Sequence, residues 1–166
     1  MGTGFFVHHR IVLAVKRVEF VNDTVSYIVL RGRRCNIIVL KVHAPREEKS
    51  DGSKDSFYEK LEEVFDHFPK NNMKILLGDF NVKVGRENIF KPAIDNESLH
   101  QDSNDNGVRI VNFATSKRLV VKSTMFPQRN IQKYNWTSPG GKTHNQIGHI
   151  MIDRRWQSSV LDLRSF

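Results

Sequence analysis

The chain switches between two hydrophobic periods, and the switches outline its elements. Residues 10–20 combine an apolar run with later alternation, and residues 24–30 and 35–42 are rich in Val, Ile, Leu and Tyr. Runs of this length and composition predict strands. Asn22-Asp23 and the charged stretch Arg31-Gly32-Arg33-Arg34 fall between them as turns, because Asn, Asp and Gly accept turn backbone readily. Three neighbouring strands joined by short turns imply an antiparallel meander. The period then changes. Phe57, Leu61, Val64, Phe65 and Phe68 recur at helical spacing within residues 53–68, and Pro69 stands where a helix must stop. Residues 73–77 read as a buried strand ended by Gly78, and residues 107–118 as a second helix with Val108, Val111 and Ala114 on one face. Further strands are expected at Val120-Val121, at residues 147–152 and at Val160-Leu161. Residues 85–105 are polar and irregular, a loop long enough to carry a role.

Strands first, then strands alternating with helices, predict an α/β class with a mixed sheet. We read residues 1–166 as one domain, and a truncated one. The chain opens almost directly on a strand and stops at Arg164-Ser165-Phe166 with no closing element, which would leave sheet edges unpaired.

Charge and cysteine usage narrow the partners. A net charge of +8 makes a polyanion, DNA above all, the expected partner. It fits equally a basic surface that only aids solubility. The single cysteine, Cys35, excludes a disulfide within the chain and a cysteine-rich zinc site; it is expected as a small buried apolar residue. No apolar stretch reaches membrane-spanning length, and His8-His9-Arg10 interrupts any signal-peptide pattern. We therefore expect a nuclear or cytoplasmic protein with no membrane partner, not a secreted one. The glycosylation matches at Asn22, Asn96 and Asn135 then read as chance.

The chemistry concentrates in Gly78-Asp79-Phe80-Asn81, directly after a buried strand. Residues two apart at a strand end point the same way, and open sheets place ligands at such carboxyl ends. A carboxylate there can orient an attacking water or join a metal site, and an amide can bind the water or a phosphate oxygen. The same four residues also suit a plain turn. Val42-His43-Ala44-Pro45 ends another strand, and Tyr134-Asn135-Trp136-Thr137-Ser138-Pro139 and Asn145-Gln146-Ile147-Gly148-His149 follow in order.

Together these motifs resemble the endonuclease/exonuclease/phosphatase family, which includes DNase I, the apurinic/apyrimidinic endonucleases and the endonuclease domains of LINE-type retrotransposons. The likeness is nearest to the last group. Residues 90–100, Asn106-Gly107-Val108-Arg109 and Asp153-Arg154-Arg155-Trp156 fit it too. The resemblance implies a four-layer α/β sandwich, here incomplete and lacking its first and last elements. It implies phosphodiester hydrolysis with Mg²⁺ or Mn²⁺. Asp79 would orient the attacking water, Asn81 would contact the scissile phosphate, and His43 would lie near that phosphate. Asp79 and Asn81 would also be the metal ligands. Trp136 would be a packing residue.

The departures matter as much. The family's Gln-Ile-Asp-His pattern reads Gln146-Ile147-Gly148-His149 here, so the carboxylate that orients a catalytic His is a glycine. The closing Asp-His motif and the early metal-binding Glu are absent; Glu19 lies in a strand in the wrong context. Loss of one electrostatic stabiliser costs about 10²–10³ in rate, and loss of the acid behind a His about 10⁴. We therefore expect metal held weakly if at all, and weak or no catalysis. The alternative is a non-enzymatic module binding nucleic acid or protein. His149 is at most pocket-lining. Asp102-Ser103-Asn104-Asp105-Asn106-Gly107 starts like a calcium loop, but its twelfth position is Phe113, so it is expected to cap the second helix through Asn104 or Asp105.

Overall fold

A computed structural model describes residues 4–81, 105–122, 136–137, 144–145 and 148–159. Its strands are β1 (Val15–Phe20), β2 (Val25–Arg31), β3 (Asn36–His43), β4 (Met73–Asp79), β5 (Leu119–Val121), β6 (Trp136–Thr137), β7 (His144–Asn145) and β8 (Gly148–Asp153). The helices are α1 (Asp51–His67) and α2 (Asp105–Ser116), with 3-10 turns over His9–Ala14 and Arg154–Ser159. Six strands form one sheet in the order β1-β2-β3-β4-β8-β5, and β6 and β7 pair as a separate ribbon. The pairs β1–β2 and β2–β3 are antiparallel, as the meander requires, and β3–β4 is parallel. The sheet is therefore mixed and the class α/β. Among the described residues the ribbon is the only other sheet, so they supply one sheet and its helices rather than two facing sheets.

The α1 helix arises from its own sequence. The Ser50 side chain accepts from the Ser53 N–H, and Asp51 sits in the first turn, where the helix dipole favours a carboxylate. At the other end Phe68 is extended (φ −87°, ψ 139°) because Pro69 follows and disfavours helical backbone before it. Lys74 Nζ then donates to the Phe65 and Phe68 carbonyls, both at 2.9 Å, closing the helix end. Alternation decides which strand residues meet the helices. Tyr27, Leu40, Val42 and Leu76 join Leu61, Phe65, Val111 and Phe113 in one core. Val39, Ile75, Leu77 and Ile150 point to the other face and are only half-buried.

Two expectations are overturned for a physical reason. Residues 10–14 are not strand. β1 begins at Val15, which pairs with Leu30, and β2 ends one residue later at Arg31. With no partner strand beyond that point, the preceding apolar run coils instead, and Leu13 is 92% exposed. Cys35 is partly exposed rather than buried, because it sits in the β2–β3 turn. The loop over 85–105, Asn104 as a cap, the Tyr134-Asn135 motif, the Trp136 side chain and the strand at Val160-Leu161 lie outside the described residues.

Candidate functional site at the carboxyl ends of β3 and β4

The parallel pairing of β3 with β4 puts His43 directly beside Asp79. Their side chains face each other with Nδ1 to Oδ2 at 3.8 Å, both partly exposed. The close approach of the strands depends on Gly78. It lies opposite Val42 with φ +150°, and a Cβ there would come within 1.9 Å of the Val42 carbonyl oxygen. Only glycine fits.

The residues after Gly78 are locked by their own chemistry. The Asn81 backbone N–H donates to Asp79 Oδ1 at 2.9 Å, and Asn81 Nδ2 donates to the Ala44 carbonyl at 2.8 Å. Asn81 has φ 49°, a left-handed conformation that Asn tolerates better than most residues. Phe80 is fully buried and anchors the turn in the core. The Ala44 N–H donates to the Asp79 carbonyl at 2.8 Å, so the two strand-end loops hold each other. One Asp79 oxygen is thus used by the turn, and the other faces His43.

Asn106, at the start of α2, fits the family likeness in sequence but shows no role there. It is 1% exposed, and its Nδ2 donates to the Pro45 carbonyl (3.1 Å) and the Asn81 carbonyl (3.4 Å). It ties the His43 loop to the Asp79 loop. An Asn beside a helix start reads in sequence as a cap, and no local pattern shows that it reaches two distant carbonyls. α2 is held in turn on α1. Asp105 accepts from Lys54 (3.2 Å) and Arg109 (2.9 Å), and these two hydrogen bonds, the Arg109 bond first, hold its carboxyl below the usual carboxylate range.

β8 completes the site. It pairs antiparallel with β4, placing Gly148 across from Asp79 and His149 across from Gly78. The position where the family pattern carries a carboxylate is therefore the immediate cross-strand neighbour of Asp79. His149 is 3% exposed, one residue out of phase with Asp79, so it lies on the helix-facing side of the sheet and not beside His43. Glu19 is structural: it accepts from the Tyr27 hydroxyl at 2.6 Å and pairs with Arg17. Among the described residues no group of three or more His, Cys, Asp or Glu could hold a metal. The oxygens at Asp79 and Asn81 still suit a hard cation that keeps most of its shell as water or substrate oxygen, as Mg²⁺ does.

The mixed six-stranded sheet and its helices form the α/β fold of the DNase I-like endonuclease/exonuclease/phosphatase proteins. It is similar to the endonuclease domain of TRAS1, a telomere-specific non-LTR retrotransposon, with TM-score 0.51 and 11% identity, over 80% of this chain and 50% of that one. It is similar also to a humanized D. rerio TDP2, with TM-score 0.51 and 12% identity, over 84% of this chain and 51% of that one. No family model matches the chain. In sequence it is 33% identical over 159 residues to craniofacial development protein 2 of Bos taurus, covering 96% of this chain and 26% of that protein. The chain thus spans about a quarter of the length of the curated relatives it matches. Among the described residues no helix is long and apolar enough to cross a membrane.

Proposed function

We propose that this chain is a retrotransposon-derived phosphodiesterase domain of the DNA endonuclease type, assisted by Mg²⁺ or Mn²⁺ and slow. The observation that carries the proposal is the convergence of His43, Asp79 and Asn81 on two adjacent strand ends. Asp79 Oδ2 is the base that orients a water toward phosphorus. His43, 3.8 Å from it, is positioned to donate to a phosphate oxygen. Asn81 holds the turn rigid through Ala44, and with Asp79 it would hold the cation. A bound divalent cation would supply charge neutralisation for the phosphate. Weak turnover follows from Gly148: the neighbour of Asp79 carries no carboxylate, so the acid that would orient a catalytic His is missing.

The test is nicking of supercoiled plasmid by the purified chain with Mg²⁺, against Asp79→Asn. We expect slow nicking in the wild type and a fall of at least about 10²-fold in the variant, with the melting temperature little changed because an Asn oxygen can still accept from the Asn81 N–H. Equal nicking by the two proteins would overturn the assignment. No nicking by either, with retained DNA binding, would favour the binding-module alternative, which the net charge of +8 motivates.

A further inference from the structure

At the end of the sheet opposite Asp79, β4 begins, β8 ends and α1 and α2 both terminate. Between them lies a cavity of about 930 Å³. Strand rise puts it roughly 20 Å from Asp79 along β4. Phe65 and Phe68 are its apolar lining, and the Phe65 ring is covered by Lys74 Nζ, 4.4 Å from its centroid. Six cationic side chains and two carboxylates line it, an excess of four positive charges.

Both carboxylates already have partners. Asp66 accepts from Lys117 and Asp153 from Arg155, each at 2.7 Å. Lys74 is consumed in closing α1. Lys70 and Arg118 line the same cavity, are exposed, and make no ion pair among the described residues. Arg118 is the more informative. It has φ 56°, the left-handed position just past a helix end where glycine is the unstrained choice. Its N–H donates to the Thr115 carbonyl (3.2 Å) and its carbonyl accepts from the Arg154 N–H (3.0 Å), which fixes the backbone. An arginine is thus held in strained backbone at the mouth of a positive cavity.

We propose that this cavity is a second anion site that takes a nucleoside phosphate, with Lys70 and Arg118 binding the phosphate and the apolar wall at Phe68 receiving the flat apolar part. A volume of about 930 Å³ accommodates a nucleotide, and guanidinium forks suit phosphate oxygens. The ligand is either a free nucleotide or one unit of a nucleic-acid strand. The site is separate from Asp79 and does not need its chemistry.

The experiment measures fluorescence anisotropy of a labelled oligothymidylate in EDTA, with thymidine 5′-monophosphate and inorganic phosphate as competitors. The variants are Lys70→Gln with Arg118→Gly, and Lys70→Gln with Arg118→Asn. Both Gly and Asn suit the left-handed position, so the melting temperature should hold or rise. We expect at least tenfold weaker binding in both doubles and a salt dependence shallower by about 1.4 in the log–log slope, two charges at ~0.7 each. The measurement in EDTA withholds the cation that the proposed nuclease uses, which separates this site from it. Displacement by the mononucleotide assigns the free nucleotide as the source; binding of the oligonucleotide alone assigns the strand. Unchanged affinity and slope in well-folded doubles would overturn the site. Inorganic phosphate competing as well as the mononucleotide would overturn the nucleoside assignment.

Discussion

The two ends of β4 are built by opposite means. At the Asp79 end the geometry is fixed by backbone: carbonyls of Ala44, Pro45 and Asn81 receive side-chain amides, and His43 and Asp79 face each other across the strand pair. At the Lys74 end the geometry is fixed by charge, with ammonium and guanidinium groups closing a helix and neutralising carboxylates. The difference teaches that precision and attraction are separated in this chain. Backbone bonds set the proposed nuclease end, and among the described residues the cavity at the far end of the same strand carries an excess of four positive charges.

The largest expected effect comes from joining the two ends in one failure. Gly78→Ala drives a Cβ into the Val42 carbonyl at a backbone conformation that resists it, and should cost about 3 kcal/mol or more. A circular dichroism melt should show a loss of cooperative unfolding, and both activities should vanish together; a normal melt would mean that β3 and β4 are not so tightly apposed. Next, Gly148→Asp places a second carboxylate across from Asp79. It should tighten Mg²⁺ binding by about tenfold or more, read by calorimetry, and leave oligonucleotide binding at the cationic end within twofold. Asn106→Ala should be milder and equally one-sided. It removes two buried hydrogen bonds, a cost of about 1–3 kcal/mol, and should lower nicking while the cationic end binds as before. Should both ends weaken equally, Asn106 supports the fold in general and not the site.

The smallest effect concerns pH. The Asp105 carboxyl is held below its usual value of 3.8 by Arg109 and Lys54. A lowered folded pKa contributes stability that is present above the unfolded value and is lost as pH falls through the folded one. Melts below about pH 4 should therefore show a loss that Asp105→Asn flattens, since the amide does not titrate. The exposure of Asp105 keeps this contribution small.

Much of this was legible in the residues. Phe57, Leu61, Val64 and Phe65 announce α1 because one buried face of a helix must repeat at that spacing, and all four are in the core. Asp79, Asn81 and His43 stand out because they follow apolar strands, and the parallel register brings them together. Less was legible where tertiary partners decide. The run Ile11-Val12-Leu13 looks like strand, yet a strand can be no longer than the neighbour it pairs with, and β2 ends too soon. The role of Asn106 is invisible because its carbonyl partners lie 25 and 61 residues away. Lys74, a lone cation on the helix-facing phase of an apolar strand, was an available signal: such a residue must meet acceptors, and it closes α1.

The Gly-Asp-Phe-Asn turn has one further consequence, for how sequences drift. Gly78 is kept by a steric limit, Phe80 by the core, and Asn81 by its left-handed backbone and its bond to Ala44. Selection for folding alone would preserve all three in a copy that had stopped cutting. Only position 79 separates the two pressures, because asparagine would serve the turn as well as aspartate. On the proposed function, the ratio of Asp to Asn at that position across descendants of this sequence would record catalysis, and the rest of the motif would record the survival of the fold.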